Sequence, residues 1–126
     1  VKSYEIPESR EKAFNSYRKQ FKNNLVDDQV IKEMCEQIQT WVQKRIQVFA
    51  FRMPTSAEMA ELENTISGYN NEFVRKSIEE SGGKWLTTKH PSQYHTYDGS
   101  HLHYNSAIHL SEEIGEQIKK ELIAPN

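Results

Sequence analysis

Four apolar residues in a row, Val48-Phe49-Ala50-Phe51, sit inside a short β-rich run over residues 46–53 that stops at Pro54. A strand apolar on both faces is at home where both faces are covered, as inside a parallel sheet flanked by helices. It also requires neighbours along both edges, because buried backbone N–H and C=O groups are costly when unpaired. This run therefore points to an α/β architecture. The other strand candidate, residues 84–88 with Trp85 and Leu86 at its centre, gives only two strands. Sheets normally hold about four to six. Three readings stay open: further strands upstream in a longer chain, strands supplied by a partner chain, or an unusually small sheet.

Helical periodicity fills the rest. Residues 1–8 read as an extended lead-in closed by Pro7, and Phe14, Tyr17 and Phe21 recur at helical spacing from residue 9 to about residue 23. Asp27 or Asp28 can cap the next helix, whose apolar stripe is Val30, Met34, Ile38, Trp41 and Val42. Lys44 and Arg45 close it at the negative end of the helix dipole. Thr55 and Glu58 have capping-box spacing ahead of Met59, Leu62 and Ile66. Ser67-Gly68-Tyr69-Asn70 then interrupts, and Phe73, Val74 and Ile78 resume, giving two helices or one broken near Gly68. Ser81-Gly82-Gly83 supplies a stop. Ala107, Leu110, Ile114, Ile118 and Leu122 define a last helix, capped near Asn105. Trp41 and Trp85 are expected to anchor the core. The order helix, strand, helix, strand, loop, helix predicts a right-handed crossover and a parallel sheet. The expected organisation is one α/β unit, with a lead-in and short helix over 1–25 and the sheet-bearing part over 26–126.

The 126 residues fit a single domain. Mean hydropathy of −0.84 and an isoelectric point near 6.2 describe a lean core without a general basic footprint, which argues against a nucleic-acid partner. Residues 1–25 nevertheless carry six Lys/Arg against three Glu, read as a solvated face. Cys35 is the sole cysteine, so no intrachain disulfide forms and the compartment is not fixed. No apolar run approaches the roughly 18 residues that span a bilayer, and no signal peptide is visible. Val1 in place of Met leads us to expect a trimmed or mature piece with segments upstream.

All five histidines, His90, His95, His101, His103 and His109, fall within residues 90–109. Within that cluster Asp98-Gly99-Ser100-His101 places a carboxylate three residues ahead of an imidazole in a turn. Such a pair can work as a general base and its orienter: Asp98 would hold one ring nitrogen of His101 while the other accepts a proton. Ligand sites in open α/β sheets form beyond the carboxyl ends of strands, and both Arg52 and the Asp98–His101 loop follow strand candidates there. Arg52 is expected to form an ion pair with a helix carboxylate, with substrate contact as the lesser reading. Tyr94, Tyr97 and Tyr104 could line a sugar cleft or simply pack. A metal reading competes, since His90, His95, His101, His103 and Asp98 are all competent ligands, but no metal signature spacing is present. For Asp98 and His101 the plain alternative is a turn aspartate and a loop histidine.

Asp98-Gly99-Ser100-His101-Leu102, followed by Asn105-Ser106-Ala107 and an amphipathic helix, resembles the final block of SGNH (GDSL-type) hydrolases, an Asp-x-x-His block that carries the last two triad members. The layout over roughly residues 27–122 is also similar to the second half of that family, closest to its bacterial cell-envelope members. The resemblance implies a three-layer, flavodoxin-like parallel sheet of which this chain holds the C-terminal portion. It implies His101 as base and Asp98 as orienter in a serine esterase or O-acyltransferase. The substrate would be an acyl ester, such as an O-acetyl group on carbohydrate, handled at the cell envelope or in the periplasm without a cofactor. The family's Gly-Asp-Ser nucleophile block is absent from these residues, and its earlier oxyanion-hole blocks are not found. The nucleophile is therefore expected from a missing N-terminal half or a partner chain, and the isolated chain is expected to be inactive. Ser100 adjoins His101 and cannot serve, while Ser92 and Ser111 have no motif behind them. The rival expectation is a truncated or degenerate module of this type that binds or assembles without catalysis.

Overall fold

The computed structural model describes residues 4–88 and 94–123. Their order is α1 (Pro7–Asn23), α2 (Asp28–Gln43), β1 (Phe49–Ala50), α3 (Ala57–Ser67), α4 (Asn71–Glu80), β2 (Lys84–Trp85) and α5 (Tyr104–Ile123). The expected three-layer α/β fold is not what forms. Among the described residues there are five helices and one two-stranded parallel sheet whose strands are two residues each.

The reason lies at the strand edges. β1 pairs in parallel with β2, Phe49 opposite Lys84 and Ala50 opposite Trp85. Lys84 N–H donates to the Val48 carbonyl (2.8 Å) and Leu86 N–H to the Ala50 carbonyl (2.7 Å). Groups along a strand alternate between its two edges, so Thr87 faces away from β1. There the Gln117 side chain of α5 stands in for a neighbouring strand. Its carboxamide oxygen accepts from Thr87 N–H (3.3 Å) and its NH2 donates to the Thr87 carbonyl (2.8 Å). With one paired edge and half-buried residues, β1 does not extend over the whole of residues 46–53.

Local chemistry explains the helices. Pro7 begins α1 instead of ending a lead-in, since a residue without N–H and with fixed φ suits the first helical position. The Asp27 carboxylate caps α2 by accepting from Val30 N–H at 3.0 Å. Ser56, not Thr55, caps α3, its hydroxyl accepting from Met59 N–H at 3.2 Å. Gly68, at φ 79°, ends α3 in the left-handed region, so the broken segment is two helices. Asn70 caps α4 through Phe73 N–H at 3.0 Å.

Ile31, Ile38, Val74 and Ile78 form a core between α2 and α4, with Val48, Ala50 and Trp85 packed against it. Trp85 anchors as expected, whereas Trp41 is exposed and does not. Cys35 is half-buried beside that core, its thiol directed at the Ser77 carbonyl (3.7 Å). α1 packs on α3. No helix among the described residues is long and apolar enough to cross a membrane.

Candidate functional site

Residues 95–103, ahead of α5, fold back on themselves. Thr96 and Leu102 form an antiparallel bridge, and Tyr97 N–H donates to the His101 carbonyl (3.2 Å). Two outside contacts fix this turn: Ile6 N–H donates to the Tyr97 carbonyl (2.8 Å) and Ser56 N–H to the Gly99 carbonyl (2.9 Å). The turn is thus held by the start of α1 on one side and the start of α3 on the other. Gly99 sits at φ 90°, and a Cβ there would lie 2.6 Å from the Phe14 ring. Glycine is required both by the backbone conformation and by the aromatic edge beneath it.

Asp98 lies inside this turn and is buried, at 6% exposure. Its Oδ1 accepts from the backbone N–H of Ser100 (2.9 Å) and of His101 (2.7 Å). Its Oδ2 meets His101 Nδ1 at 2.7 Å. Burial pushes the Asp98 carboxyl upward, but the His101 N–H, the His101 ring and the Ser100 N–H together outweigh it, leaving a value below the ordinary 3.8. A carboxylate that is more acidic when folded stabilises the fold fully above the unfolded value and loses that contribution as pH falls through the lowered one. The stability difference between the natural chain and Asp98→Asn is therefore read from urea melts on the acid side. It should shrink as pH drops below 3.8. Parallel stability curves down to the acid limit would contradict this.

The imidazole of His101 extends outward, its side chain 58% exposed. The Tyr97 ring stacks beside it, with centroids 5.9 Å apart and planes 18° from parallel. Nδ1 is committed to Asp98, and Nε2 makes no hydrogen bond among the described residues. Both rings border a groove of about 360 Å³ whose opposite wall is the polar side of α1, with Ser9, Lys12, Ser16, Tyr17 and Gln20. Ser16 Oγ accepts from Gln20 Nε2 (3.1 Å), and among the described residues neither Ser9 nor Ser16 bonds to His101. The arrangement can orient an imidazole and take up a proton, while no described hydroxyl is bound to that imidazole.

Arg52 is engaged elsewhere. Its Nη2 donates to Glu63 Oε1 (2.6 Å) and Asn64 Oδ1 (2.9 Å) on α3, and its guanidinium lies 4.5 Å from the Tyr69 ring centre. These contacts tie the end of β1 to α3 and do not join the Asp98–His101 pair. The remaining described histidines also gather apart from it. His95 stacks on Tyr4 at 4.3 Å, His103 meets the same ring edge-on at 5.2 Å, and His109 lies near Tyr94 and Glu113. Tyr104 is exposed on the first turn of α5. Ser111 donates to the Ala107 carbonyl within α5 (2.9 Å). His90 and Ser92 lie outside the described residues. Among the described residues no group of three or more His, Cys, Asp or Glu side chains is placed to hold a metal ion. The α1 wall had no sequence signal beyond its basic charge, and the Phe14–Gly99 contact had none.

No protein-family model matches the sequence, and neither a curated protein nor a solved structure matches the chain.

Proposed function

We propose that Asp98 and His101 are the orienting carboxylate and general base of an acyl-ester site, in a serine esterase or O-acyltransferase of the SGNH type that the Asp-Gly-Ser-His block resembles. One observation carries the reading: Asp98 Oδ2 lies 2.7 Å from His101 Nδ1 while Oδ1 is occupied by two backbone N–H groups. Held this way, the carboxylate favours the tautomer with its proton on Nδ1 and leaves a lone pair on Nε2. That lone pair removes the proton from a serine hydroxyl as its oxygen bonds to the ester carbonyl carbon. The proton then passes to the departing alkoxide as the ester C–O bond breaks. Asp98 remains ionised and stabilises the imidazolium between these two transfers. The serine comes from outside this chain, from an upstream portion of a longer chain or from a partner. The acceptor of the acyl group is water in an esterase and a second hydroxyl in a transferase.

A non-catalytic binding or assembly module is the second reading. It is favoured by the lack of a bond between His101 and either groove serine among the described residues. Nitrogen-15 NMR of the imidazoles tests the first reading on this chain directly. At a pH where His101 is neutral, its proton is expected on Nδ1. A proton on Nε2 would remove the general-base role. The isolated chain is expected to hydrolyse an activated acetyl ester negligibly, and robust turnover would place the nucleophile within it.

A further inference from the structure

The chain seals one edge of its sheet and leaves the other bare. Along the outer edge of β2, the Gln117 carboxamide bonds both the N–H and the carbonyl of Thr87. Nothing plays that part for β1. Val48 and Ala50 turn their backbone groups toward β2, where their carbonyls accept from Lys84 and Leu86 N–H. Groups along a strand alternate between its edges, so those of Phe49 and Phe51 point the other way. Among the described residues neither Phe49 nor Phe51 has a backbone partner on that side. Both are only half-buried, and Met53 beyond them is exposed. An apolar strand with an unpaired edge is a template for another strand.

α2 supplies a roof on the same side. Cys35 and Val42 mark its flank toward α4: the Cys35 thiol is directed at the Ser77 carbonyl, and Val42 lies against Gly82. α4 in turn packs on β2. Val30, Met34 and Trp41 share the other flank of α2, roughly 100° round the helix and so toward the outer edge of β1. Val30 and Trp41 are exposed, as is Ile46 between α2 and β1. The ends of α2 carry opposite charge. Asp28 opens it, Lys44 and Arg45 follow it, and none of the three has an ion-pair partner among the described residues.

Each of these features is its own complement under a two-fold rotation. An axis perpendicular to the sheet beside Ala50 sets two β1 strands antiparallel. Phe49 of one copy then stands opposite Phe51 of the other. Each such pair exchanges two N–H···O=C bonds, and Ala50 faces its own mate between them. The rotation reverses α2 as well, so the acidic start of one α2 comes beside the basic end of the other. We infer that this face binds a second copy of the chain. The β1 edges join two small sheets into one, and the Val30–Met34–Trp41 flanks close over the seam. A second copy is favoured over a different partner because one rotation pairs the backbone edge, covers the apolar flank and matches the charged ends. The inference does not rest on the acyl-ester reading of His101.

Sedimentation equilibrium tests it. The natural chain is expected to pass from 14.8 kDa when dilute to twice that mass when concentrated. The dissociation constant should be on the order of 10 μM, as for a small interface. Trp41→Glu changes an exposed helix position, so it should keep the circular dichroism spectrum while weakening association about thirtyfold. Amide hydrogen exchange reads the seam itself. The Phe49 and Phe51 amides should exchange freely in dilute solution and about tenfold more slowly well above the dissociation constant. A chain that stays monomeric up to millimolar concentration leaves the edge to some other strand and overturns the inference. So does a dimer in which those two amides remain fast, or one that Trp41→Glu does not weaken.

Discussion

His101→Ala is expected to abolish ester hydrolysis in a protein complete with its nucleophile, lowering kcat by about 10⁶ while the fold persists. The imidazole is mostly exposed, so its removal leaves no buried cavity. Asp98→Asn is expected to lower kcat by about 10⁴. The carbonyl oxygen of the new side chain can still accept from the N–H groups of Ser100 and His101, so the turn survives. Its NH2 group then faces Nδ1 and donates to it. That moves the ring proton to Nε2, the atom that must accept the serine proton. The two variants therefore fail differently: one lacks the base, and the other holds it in the wrong tautomer. The check is kcat and KM for an acetyl ester beside a circular dichroism spectrum and the imidazole nitrogen-15 shifts. Undiminished turnover in either variant removes that residue from the mechanism, and an Asp98→Asn chain that keeps the imidazole proton on Nδ1 refutes the tautomer explanation.

The pair itself was readable because it is local. An aspartate three residues before a histidine, with a glycine between them, encodes a tight turn without help from distant residues. Helix ends were readable for a similar reason, since the Asp27 cap and the Gly68 stop act within one or two turns, whereas the α2 stripe was only partly so: Val30 and Trp41 are exposed and Ile31 is buried in their place. The sheet was not, because an apolar run states what a strand needs and not what it finds. Val48-Phe49-Ala50-Phe51 asks for two covered faces and two neighbours, and the described residues provide one strand partner and a core on α2 and α4. Nor was the α1 wall of the groove readable, since Lys12 and His101 are 89 positions apart in sequence and border one groove only through packing. Arg52 was legible at shorter range, since the ion pair with a helix carboxylate expected of it forms with Glu63 on the next helix, beside Asn64.

The turn that makes the pair possible also rests on a contact distant in sequence, Phe14 against Gly99. Gly99→Ala is expected to destabilise the fold by about 3 kcal/mol, from two separate causes. A φ of 90° is one that alanine rarely adopts, at a cost of about 1–2 kcal/mol. The new methyl would also meet Phe14 Cε2 at 2.6 Å, and Phe14 is buried at 7% exposure with little room to move. Because the Gly99 carbonyl accepts from Ser56 N–H, the shifted backbone pulls on the start of α3 as well. Phe14→Leu removes the ring edge and separates the causes. Combined with Gly99→Ala it is expected to recover the steric share, giving a coupling of about 1–2 kcal/mol in a double-mutant cycle of urea melts. The φ cost remains in the double variant. Strict additivity of the two changes would mean that ring and glycine do not touch in solution.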